Sequence, residues 1–123
     1  ERGAAIDQAD CNGITPLYSV CPWCRIDCAR LLCERGAALD QADHDGATPL
    51  HAACSNGRTD ITQLLCERGA ALDQADHSGA TPLFAACHRG LTDIAQLLCE
   101  RGAAIDQATS NGKTPQYVAC YKG

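Results

Sequence analysis

The string Glu-Arg-Gly-Ala-Ala begins at Glu1, Glu34, Glu67 and Glu100, so the 123-residue chain is four tandem copies of a 33-residue unit, the last of 24 residues. The units span 1–33, 34–66, 67–99 and 100–123, and copies two and three are identical at 27 of 33 positions. A strict period without insertions means that every unit sits the same way on its neighbour, as in a stacked solenoid whose units cannot bury an apolar face alone. The chain is then one domain, and the array is its fold. With five aromatic residues and no Met in a chain that is 46% apolar, Ala, Leu, Ile and Cys must do the packing, which favours helices in close contact.

Within a unit the punctuation is that of two helices. Thr48 is a good N-cap with Pro49 at the first helical position, where its missing N–H costs nothing. Leu50, Ala53 and Cys54 recur at helical spacing until Ser55-Asn56-Gly57 stops the element after about two turns. Thr59 and Asp60 then supply a cap and a first-turn negative charge to a second, antiparallel helix, whose stripe is Ile61, Leu64 and Leu65 and whose end is Gly69. Residues 70–80 read as a turn or hairpin around Asp76-His77-Ser78-Gly79, with Gly79 at positive φ.

Thr48-Pro49-Leu50-His51-Ala52-Ala53, Leu64-Leu65 followed by Gly69-Ala70, and an Asp three residues before Gly46 and Gly79 resemble the ankyrin repeat over essentially the whole chain. The resemblance implies an all-α ankyrin-repeat solenoid of stacked antiparallel helix pairs joined by β-hairpin or turn loops. It implies no catalysis, and a concave face of hairpin tips and first helices that takes protein ligands. It also implies a Thr–His hydrogen bond, available only in copy two, because Tyr18, Phe84 and Tyr117 stand at the position of His51. Gln116 interrupts the apolar stripe in copy four. The chain starts at the tail of a second helix and stops at Gly123, so both ends are expected to expose apolar surface, as in a piece of a longer array.

Seven of the ten cysteines are explained by repetition. Cys21, Cys54, Cys87 and Cys120 share one position and Cys33, Cys66 and Cys99 another. Equivalent positions in stacked helices lie roughly 10 Å apart, beyond the ~7 Å Cα limit of a disulfide. Free thiols in turn point to a reducing, intracellular compartment, cytoplasmic or nuclear. Cys11, Cys24 and Cys28 are left over. Cys21-Pro22-Trp23-Cys24 is a C-x-x-C with Cys28 following, a candidate thiol-redox or zinc segment. Cys21, however, falls at a helix C-terminus, where the dipole opposes the thiolate, and the spacing is not that of a zinc knuckle, so divergence of copy one is the simpler reading. His44 and His77 stand one unit apart at hairpin tips, too far to share an ion. No Ser/His/Asp triad, phosphate-binding glycine loop or Cys/His pair can be assembled. No metal, cofactor or catalytic residue is expected.

The differences between copies two and three are Asp45/Ser78, His51/Phe84, Ser55/His88, Asn56/Arg89, Arg58/Leu91 and Thr62/Ala95. Five of these pairs fall between the tip and the second helix. Taken with the tip residues His44, Ala47, His77 and Ala80, and with Asn111 and Lys113 in copy four, they mark the expected partner-binding surface. A net charge of −5 disfavours nucleic acid, and no apolar run is long enough to cross a bilayer. Asp7, Asp10, Asp40, Asp43, Asp45, Asp73, Asp76 and Asp106 all fall in hairpin segments, which suits a protein partner with a basic contact surface. The rival reading makes the units spacers for a functional domain elsewhere.

Overall fold

A computed structural model describes residues 6–115. Gln116, Tyr117, Cys120 and the two chain ends, on which expectations were placed above, lie outside the described residues. Among the described residues there are six α-helices and no strand: α1 Pro16–Val20, α2 Ile26–Glu34, α3 Pro49–Ser55, α4 Thr59–Glu67, α5 Pro82–His88 and α6 Thr92–Glu100. A 3-10 turn, Cys21–Trp23, follows α1. The first helices α1, α3 and α5 pack on one another in one row, and α2, α4 and α6 in a second row behind them.

The caps of the first helices are as read. The hydroxyls of Thr15, Thr48 and Thr81 accept from the N–H groups of Tyr18, His51 and Phe84, and each Thr is followed by Pro. The second helices differ from expectation. Thr59 is the first helical residue rather than the cap, because Gly57 carries the chain through φ 72° and its carbonyl takes the Thr59 amide at 3.1 Å. Arg58 occupies the cap position with no side-chain capping bond, and Asp60 does lie in the first turn. Gly69, at φ 91°, ends α4 with the Ala70 amide returning to the Leu65 carbonyl at 3.0 Å.

The core repeats down the stack: Leu17, Leu50 and Leu83 form one column, Ile61 and Ile94 another, Leu65 and Leu98 a third, all essentially without solvent exposure. Removing one such Leu side chain costs about 2–5 kcal/mol. Cys21 and Cys54 fill the small gaps between these columns and are fully buried, and Cys33 is buried as well. Cys66 and Cys87 are half-buried, while Cys11, Cys24, Cys28 and Cys99 are exposed, and all nine of these thiols are free. At the first unit, Cys28 and Leu31 are exposed where their counterparts Ile61 and Leu64 are buried.

Candidate protein-binding surface

Each of the first three tips is built by one carboxylate. Asp43 Oδ1 accepts from the N–H groups of Asp45 and Ala47, both at 2.9 Å, and the loop closes with the Asp43 N–H on the Ala47 carbonyl at 2.8 Å. Asp10 and Asp76 repeat the arrangement. These bonds favour the charged form. The amides of Ile14 and Asn12 hold the Asp10 carboxyl below its ordinary pKa, and although burial opposes it, the Ser78 hydroxyl and the amides of Ala80 and Ser78 do the same for Asp76. In copy four Thr109 takes the place of the Asp, its hydroxyl accepting from the Lys113 amide at 3.2 Å.

The tips are chained through main-chain atoms alone. His44 N–H donates to the Asn12 carbonyl at 3.1 Å, His77 N–H to Asp45 at 2.9 Å, and Ser110 N–H to Ser78 at 2.8 Å. A second set of carboxylates reaches across the seams: Asp7, Asp40 and Asp73 accept from the amides of Ala38, Ala71 and Ala104, one unit on, at 2.8–2.9 Å. Six of the eight tip-segment aspartates therefore serve structural bonds, three within a tip and three across a seam.

The sixteen residues expected to meet a partner separate into three groups. His44, Asp45, His77, Ser78, Asn111 and Lys113 are exposed along the tip ridge, and Ala47 is half-buried beside it. Asn56, His88 and Arg89 are exposed, and Ser55, Arg58 and Leu91 half-buried, in the loops at the opposite end of the first helices. A seven-residue helix, about 10 Å long, keeps these two groups apart, with half-buried Phe84 between them. His51 and Ala80 belong to neither group. They are 4% and 9% exposed, because the His51 ring points into the seam and binds the Ala80 carbonyl, so the structure removes both from the surface.

All of α3 from Pro49 to Cys54 is buried, so in copy two the first helix offers a partner almost nothing. Much of the variation between copies two and three also has an internal reason. Ser55 Oγ donates to the His51 carbonyl at 2.9 Å, whereas the rings of Phe84 and His88 stack with centroids 6.0 Å apart, so the two positions change together. Arg58 Nε donates to the Pro22 carbonyl at 2.8 Å, tying loop to loop, and Leu91 at the same position lies against Gly57.

The same position rule, applied to copy one, finds surface residues that a comparison of copies two and three misses. Cys11 and Asn12 crown the first tip, and Trp23 and Arg25 stand in the first interhelix loop, with Trp23 71% exposed. The C-x-x-C divides between environments. Cys21 is buried at the end of α1, and burial first, with the neighbouring thiols, pushes it up to about 12, whereas Cys24 and Cys28 are at the surface. Cys24 holds φ 59° where its counterparts are glycines. Among the described residues no group of three His, Cys, Asp or Glu side chains is placed to hold a metal ion. No helix among them is long and apolar enough to cross a membrane.

The family model described as ankyrin repeats, in three copies, matches residues 2–76 and 68–123. Among curated proteins no match is found.

Proposed function

From the chain's membership of the ankyrin-repeat family, whose repeats are in general protein–protein interaction modules, we propose that this array is a non-catalytic scaffold that binds a partner protein along its tip ridge. The observation that carries the reading is the unbroken main-chain linkage of the tips from Asn12 to Ser110, which presents exposed side chains on a base that needs no ordering when a partner arrives. His44, Asp45, His77 and Ser78 form the centre of the contact, with Asn111 and Lys113 at one end. The exposed Asp45 carboxylate favours a partner with basic groups, so the encounter weakens with salt.

The test is site-directed photocrosslinking in cells, with the crosslinker at position 44 or 77 and, as control, at exposed Gln63 on the outer row. A single polypeptide captured from the tip positions and not from 63 supports the reading, and equal capture from all three overturns it. A spacer role predicts no discrete adduct at any of them.

A further inference from the structure

His51 is the one imidazole among the described residues that is buried, and it bridges two units. Thr48 N–H donates to Nδ1 at 3.0 Å, which fixes the ring proton on Nε2, and Nε2 donates to the Ala80 carbonyl of unit three at 2.8 Å. The neutral ring therefore satisfies the cap of α3 and the tip of the next unit at once. At the same position Tyr18 bonds the Asp43 carboxylate of unit two, and Phe84 has no polar atom to offer.

We propose that the seam between units two and three is a proton-operated latch: taking up a proton at His51 breaks the cap of α3 and frees the tip of unit three, a response the Tyr18 and Phe84 seams lack. A proton on Nδ1 faces the Thr48 amide hydrogen. Thr48 Oγ1, 3.0 Å from Nδ1, can accept it, but that oxygen already serves the His51 amide, and the Thr48 amide is then left without an acceptor at a residue with no solvent exposure. The charges that reach the ring are the tip carboxylates Asp43 and Asp76, which favour the cation. Tyr18 on α1, Cys21 on the 3-10 turn, Cys54 on α3, Asp60, Cys66 and Glu67 on α4, and Cys87 and His88 on α5 are the titratable groups of this and the neighbouring elements, and none of them bonds the ring.

Burial outweighs the Ala80 carbonyl and the two carboxylates, which all favour the cation, and lowers the imidazole pKa below 6.5. The sign follows. With the closed-state pKa depressed, the seam's stability is constant above about pH 6.5 and falls as the pH drops through that value, because the opened seam takes up the proton first. From an open-state pKa of 6.5, opening at pH 5.5 is favoured over opening at pH 7.5 by at most about tenfold, the limit reached when the closed seam takes up no proton. The latch concerns the seam itself and holds whatever the ridge binds.

The test is amide hydrogen exchange on the whole chain at pH 7.5 and 5.5, corrected for intrinsic rates, with wild type and His51→Phe compared. Phe is the residue copy three carries at this position, so the variant is compatible with the fold. The wild type should lose protection, by up to about tenfold, at residues 48–54 and 76–80, with little change at 15–20, and the variant should show no pH-dependent loss. An equal pH response in the two proteins overturns the proposal. NMR titration of the His51 ring is the second measurement: it should carry its proton on Nε2 and titrate below the ordinary 6.5, and a value at or above 6.5 overturns the proposal independently.

Discussion

Substituting Gly46 by Ala probes the close approach of successive tips. Gly46 sits at φ 84°, and a Cβ built there lies 2.7 Å from the His77 ring and 2.9 Å from its main-chain nitrogen. Gly69 has nearly the same backbone, φ 91°, with nothing within 4 Å of its Cβ. Both variants pay the left-handed conformation, about 1–2 kcal/mol for an L-residue. Gly46→Ala must in addition push the neighbouring main chain away and weaken the His77–Asp45 bond, a further ~1–3 kcal/mol. Gly46→Ala is therefore expected to cost about 2–5 kcal/mol and Gly69→Ala about 1–2. Urea unfolding followed by circular dichroism reads the difference as a midpoint lower by roughly 1 M for Gly46→Ala than for Gly69→Ala, fitted with a nearest-neighbour repeat model. If the two variants unfold within a few tenths of a kcal/mol of each other, tip contact does not couple the units and the reasoning fails.

Asp40→Ala strips the Ala71 amide of its acceptor across a seam and should destabilise by about 1–3 kcal/mol in the same assay. Cys24→Gly relieves the one non-glycine left-handed residue among those described and should stabilise by about 1 kcal/mol, visible as a raised urea midpoint. Labelling with a thiol-specific disulfide reagent at pH 8 should modify exposed Cys24 and Cys28 well before Cys21 and Cys54, both buried and pushed up to about 12. Rapid modification of Cys21 in the native state would contradict its placement in the core. Iodide should quench Trp23 fluorescence in the folded protein nearly as well as in urea, since its indole is largely exposed.

The architecture was legible because a 33-residue period leaves so few ways to pack, and because Thr48-Pro49 and Gly69 each permit one local backbone. The cap of the second helix was not, since Thr59 satisfies the rule for a capping side chain while the loop's main chain settles the matter one residue earlier. At the tips His44 and His77 are exposed, whereas His51 and Ala80 are buried in a seam. A side chain's neighbours across a seam lie 29 residues away, and no local pattern announces that bond. Copy one's Trp23 needed only the alignment of its loop with Asn56 and Arg89.

The tip-to-tip bonds use peptide groups only, so the side chains at 44, 45, 77 and 78 contribute little to keeping the units in register. The linkage between units and the exposed side chains are thereby assigned to different atoms. A lineage, or a designer, is free to rewrite those four letters toward a new target while the spine that displays them stays as it is.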